Sequence, residues 1–69
     1  MATGTVKWFN TEKGYGFIQP DEGGQDVFVH ITAVQRAGLQ GLNDGQKIAY
    51  ELYTDPKRNK TSASNLQPL

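Results

Sequence analysis

The stretch DVFVHI, residues 26–31, carries the clearest strand signal in the chain: a short run of β-branched and aromatic residues, the types that suit a pleated, half-buried surface. Alternation along it sends Val27, Val29 and Ile31 to one face and Phe28 and His30 to the other. The β-branched set is the natural core face. Upstream, YGFIQ (15–19) follows a turn at Glu12, Lys13 and Gly14, and the same alternation puts Ile18 with the core while Tyr15 and Phe17 project the other way. Two neighbouring strands therefore hold four flat rings, Tyr15, Phe17, Phe28 and His30, on the side they do not bury.

Working outward, GTVKWFN (4–10) reads as a preceding strand and PDEGGQ as the turn before DVFVHI. Residues 32–45, TAVQRAGLQGLNDG, contain three glycines and no sustained period, which predicts a long crossover loop with one short helical turn begun by Thr32. KIAYELYT (47–54) alternates, with Ile48, Tyr50 and Leu52 on one face and Ala49, Glu51 and Tyr53 on the other. After the turn-prone, basic segment DPKRNK, TSASNL (61–66) reads as a weaker fifth strand. Five short strands with little helix predict an all-β fold, a five-stranded antiparallel barrel that closes its edges instead of exposing them. The expected core is Val6, Ile18, Val27, Val29, Ile48, Tyr50 and Leu52, with Ile31 shared between faces. Tyr50 needs its hydroxyl to reach water or a partner at the barrel's end.

At 69 residues the chain has room for one domain, residues 1–69, with a core near the lower limit of what folds without staples. It has no cysteine, so neither disulfides nor thiolate ligands help, and a reducing compartment is the natural setting. The N-terminal MATGTVKWFN lacks a basic segment followed by an apolar run, and no stretch approaches the roughly 20 apolar residues that span a bilayer. A soluble, cytoplasmic monomer is expected. Lys plus Arg and Asp plus Glu each total 7, so net charge gives no hint of a polyanionic partner. The distribution says more: Asp21, Glu22 and Asp26 cluster in one segment, Lys7 and Lys13 flank the aromatic stretches, and Lys57, Arg58 and Lys60 cluster later.

An exposed aromatic patch on a small protein marks a binding surface. Flat rings beside lysines suit a partner with flat faces and negative charge, and single-stranded RNA or DNA has both: bases stack on aromatic side chains while Lys and Arg follow the phosphates. Duplex fits poorly, because its bases already stack on one another. Gly14 and Gly16 either keep side chains clear of such a ligand or simply permit a bend. Trp8 stays open on period alone: if Val6 points inward, so does Trp8, while Lys7 and Phe9 point outward, and only a bulge or strong twist brings Trp8 to the aromatic face.

These residues resemble the bacterial cold-shock proteins and the related cold-shock domain. The matching pieces are GTVKWFN (4–10), EKGYGFI (12–18), DVFVHI (26–31) and the pattern ending in ASNL; they run in the family's order and spacing over nearly the whole chain. KGYGF also resembles a motif of RRM domains, but there the VFV-like motif precedes it and two helices are required. The resemblance implies a five-stranded OB-fold barrel that binds single-stranded RNA and DNA, acts as an RNA chaperone without ATP, and serves in cold adaptation or in control of transcription or translation. Position by position it carries the family's binding face onto Lys7, Trp8, Phe9, Asn10, Lys13, Tyr15, Phe17, Phe28 and His30, and so turns Trp8 to the surface. Two positions depart from the pattern: Ile31 and Leu39 stand where family members commonly have aromatics, which predicts weaker subsites there. Lys57 and Arg58 are further candidates for phosphate contact. Asp26 either accepts hydrogen bonds from a base edge or stabilises its turn, and Asn10 faces the same choice.

Other classes have less behind them. A single histidine without cysteines is a poor start for a metal site, and no cofactor is expected. No nucleophile has a base at motif spacing and KGYGF lacks the full P-loop, so no enzyme is expected. The remaining alternative is a small barrel adaptor that binds peptide or oligosaccharide through the aromatic face.

Overall fold

A computed structural model describes residues 1–69. Its strands are β1 (Ala2–Asn10), β2 (Tyr15–Pro20), β3 (Val27–His30), β4 (Lys47–Asp55) and β5 (Lys60–Pro68), with one helix, α1 (Ile31–Arg36), between β3 and β4. All five strands close into a barrel in the order β1-β2-β3-β5-β4, the five-stranded OB-fold arrangement that the resemblance implies. One expectation needs correction: β3 and β5 pair in parallel at Phe28 and Ser62, while every other pair is antiparallel. The reason is arithmetic. A closed ring with an odd number of strands cannot alternate direction at every seam, so at least one neighbouring pair must run the same way.

Val6, Ile18, Val29, Ile48 and Tyr50 fill the core as expected, joined by Val34, Leu42, Ala49, Ala63 and Leu66. Val27 and Ile31 are half-buried and pack against it. Leu52 does not belong to the core: it is 59% exposed. It sits opposite the buried Ala63, on the inward side, but β1 begins at Ala2 opposite Tyr50, so beyond Tyr50 no β1 neighbour covers the strand. Tyr50 itself is 1% exposed, and no buried side-chain oxygen or nitrogen lacks a partner, so its hydroxyl keeps contact with water at the barrel's end. Burial, followed by the charges of Asp21 and Glu22, raises the Tyr50 pKa above its ordinary value.

The crossover holds more order than its composition suggests. α1 starts one residue before the expected Thr32, and its N-cap is His30, whose Nδ1 accepts from the Thr32 amide at 3.2 Å and lies 3.0 Å from Thr32 Oγ1. The helix inserts Val34, fully buried, into the core, and Leu42 follows from the loop. Apolar residues this sparse show no period along the sequence; the barrel end they cover selects them.

Candidate nucleic-acid interface

Regular alternation from Val6 would bury Trp8, and the chain avoids this with one extra residue. Val6 pairs with Ile18 and Trp8 with the adjacent Phe17, so Lys7 is bulged out of the β1–β2 ladder and the register slips by one. Trp8 thereby turns outward and is 39% exposed. Phe9 turns the other way: it faces Gly16, is half-buried and packs against the core. A side chain on Gly16 would run into the Trp8 carbonyl oxygen and would stand 2.8 Å from Phe9 Cα and Cδ1. Gly16 is therefore required by the bulge beneath it. Gly14, at φ +81°, serves the turn, and a Cβ there would meet Ile31 Cγ2 at 3.1 Å.

With the bulge in place, ladder partners line up the rings. Trp8 lies opposite Phe17 and Phe17 opposite Phe28; in the next row Asn10 lies opposite Tyr15 and Tyr15 opposite His30. Trp8 meets Tyr15 and Phe17 edge-on, with centroids 5.6 and 5.4 Å apart. Tyr15 stacks on Phe28 at 5.8 Å with planes 24° apart, and Phe28 meets His30 at 6.3 Å. Five rings thus form one contiguous platform over three strands, each held by ring neighbours at favourable aromatic spacing.

Charge is arranged around this platform. Lys7 Nζ lies 2.9 Å from Asp26 Oδ2, an exposed pair that contributes about 0–1 kcal/mol and is readily exchanged for another anion. Asp26 thus meets Lys7 instead of bracing its own turn. Asn10 does serve a turn: its Oδ1 accepts from the Lys13 amide at 2.9 Å and its carbonyl from the Gly14 amide at 2.8 Å. Lys13 projects from that turn, exposed. Lys57 and Arg58 are exposed at the tip between β4 and β5; because β5 runs parallel to β3, this tip and Asp26 lie at the same end of the platform. Ile31 and Leu39 are half-buried and packed against the core, so the platform's rings do not include them or Phe9.

The outward row does not stop at Phe28. It continues to Ser62 on β5 and from there to Tyr53 on β4, which is 54% exposed. The alternation of KIAYELYT already placed Tyr53 opposite to the core face; only the strand order, absent from sequence, shows that it prolongs the row of rings.

The model of the family described as the 'cold-shock' DNA-binding domain matches residues 2–69. A probable cold shock protein of Sinorhizobium fredii is 72% identical over 67 residues, covering 97% of each chain. A cold shock protein of Rhizobium meliloti is 58% identical over the same length and coverage. A probable cold shock protein of Mycolicibacterium smegmatis is 53% identical over 57 residues, 83% of this chain and 85% of the relative.

Proposed function

This chain belongs to the cold-shock domain family, and from that premise we propose that it is a single-domain, nucleic-acid-binding protein that captures single-stranded RNA and DNA and acts as an RNA chaperone without ATP. The observation that carries this reading is the platform of Trp8, Tyr15, Phe17, Phe28 and His30, five outward rings joined in one contiguous network. In this reading bases stack on the rings, and Lys7, Lys13, Lys57 and Arg58 meet phosphates around the rim. Asn10 holds the turn that presents Lys13. Asp26 pairs with Lys7 until a phosphate replaces it.

Stacking on any base gives low sequence preference. By binding only the unpaired form, the protein shifts hairpins toward the open state in proportion to its differential affinity. That effect has most value in the cold, when RNA helices are more stable, and it extends to control of transcription and translation. The protein works as a cytoplasmic monomer and carries out no catalysis. Ile31 and Leu39 leave one end of the site weaker than a full set of aromatics would. The adaptor alternative for peptide or oligosaccharide is not favoured, given the family to which the chain belongs.

The test is a titration of Trp8 fluorescence with a short oligothymidine, its duplex and an oligosaccharide, at low and high salt. Quenching by the single strand alone, lost in Phe17→Ala, is the expected result. With zero net charge and few phosphates neutralised, affinity should weaken only modestly with salt. Equal binding of duplex, or no response to the single strand, would overturn the reading.

A further inference from the structure

Between α1 and the outer side of β4 and β5 runs a groove of about 810 Å³. Its walls include His30 from the platform, Arg36 from the helix's last turn, and Tyr53, Ser62 and Ser64 from the sheet. His30 therefore belongs to both surfaces. Tyr53 takes part in none of the ring contacts of the platform, yet it occupies the same outward row, two strands beyond Phe28 with only the small Ser62 between. At the usual spacing of neighbouring strands that gap is about 10 Å. Even fully stacked bases advance ~3.4 Å each, so a single strand crosses it within about three nucleotides. The groove's one acidic wall residue, Glu51, is engaged: its Oε1 accepts from Asn65 Nδ2 at 2.8 Å.

From this continuity we propose that the nucleic-acid track extends past the aromatic platform: a strand leaving Phe28 and His30 crosses Ser62 and enters the groove, where one base stacks on Tyr53 and the Arg36 guanidinium receives a phosphate. The inference rests on the single-strand reading above. It lengthens the footprint without adding sequence preference, because Tyr53 offers a ring face and Arg36 a charge, and neither is fixed against one base. Ser62 matters by being small, since a bulky side chain there would dam the path between the two surfaces.

The experiment compares oligothymidines of about six and about twelve nucleotides, within the range of OB-fold site sizes, by Trp8 fluorescence on the wild type, Tyr53→Thr and Tyr53→Phe. Threonine suits an exposed strand position and removes only the ring; phenylalanine restores the ring, and thermal unfolding checks that all three are folded. The expected result is that Tyr53→Thr weakens binding of the longer strand by about fivefold or more, the effect of losing one stacked base, leaves the shorter strand unchanged, and is reversed in Tyr53→Phe. Arg36→Gln should lower the salt dependence for the longer strand only, by about one phosphate. Equal affinities of wild type and Tyr53→Thr for the longer strand would overturn the extension while leaving the platform intact. An equal loss at both lengths would also overturn it, by placing Tyr53 within the shorter footprint. Failure of the wild type to bind either strand would instead remove the single-strand reading itself.

Discussion

The two faces of the β1–β2–β3 sheet come from interleaved residues of the same three strands, yet they are made of different materials. The inner face is mainly aliphatic, with Val6, Ile18 and Val29 at 1% exposure or less and Phe9 at its edge; the outer face is aromatic, with Trp8, Tyr15, Phe17 and Phe28 held against one another. Each ring, if buried, would remove some 150–250 Å² from water, and a chain of 69 residues has little other apolar surface to spend. Keeping these rings outside leaves folding to a core that is aliphatic apart from Tyr50 and the half-buried Phe9. Stability and affinity should therefore respond to different substitutions, although their residues are sequence neighbours.

The strongest way to sharpen that contrast is Ile18→Ala. It empties a fully buried site and should cost about 2–5 kcal/mol of stability in chemical denaturation, a large part of the roughly 3–10 kcal/mol available to a chain of this length. Oligonucleotide affinity of the molecules that remain folded should stay the same. Gly16→Ala is the substitution that should break the contrast. Its new methyl meets the backbone of Trp8 and Phe9 at the bulge, so it should lower stability by about 1–3 kcal/mol and also reduce the Trp8 response to oligothymidine; an unchanged titration would mean that the bulge tolerates displacement. Asp26→Asn acts on the outer face alone. Freeing Lys7 should tighten binding at low salt by no more than about 1 kcal/mol, with no measurable change in melting temperature. Weaker binding instead would assign Asp26 a hydrogen bond to a base edge.

The smallest effect belongs to Tyr50, and only in alkali. Its folded pKa lies above the ordinary 10.0 because burial disfavours the phenolate. Its contribution is thus fully present below pH 10 and is lost as pH rises through the folded value, while the unfolded chain ionises first. Tyr50→Phe should flatten the decline in stability above pH 10; an identical decline would assign it to other groups.

The alternation of DVFVHI and YGFIQ was enough to place four rings outside and Val29 and Ile18 inside, because period-two patterning survives wherever a strand is regular. It was not enough for Trp8 and Phe9. Their orientation depends on one extra residue, Lys7, and nothing in the letters of GTVKWFN distinguishes a bulged strand from a straight one. Strand ends posed the second difficulty: Leu52 points inward as its period requires, but the length of β1 decides whether anything covers it. A single helical turn and a loop impose no period, so nothing in the sequence marks Val34 and Leu42 as core residues. The role of Asp26 depended on a partner, Lys7, that is distant in sequence.

The parallel seam has a mechanical meaning. Where the antiparallel neighbours of the barrel share at least four ladder positions, β3 and β5 share one, Phe28 with Ser62. This is the stave joint with the least glue, and local opening of the wall should start there, with the amide protons around Phe28 and Ser62 that point across this seam exchanging with solvent sooner than those of the β1–β2 ladder. Because Phe28 stands on that joint, a strand lying across it would act as a strap, and a bound nucleic acid should slow the exchange most at the spot where the empty barrel is weakest.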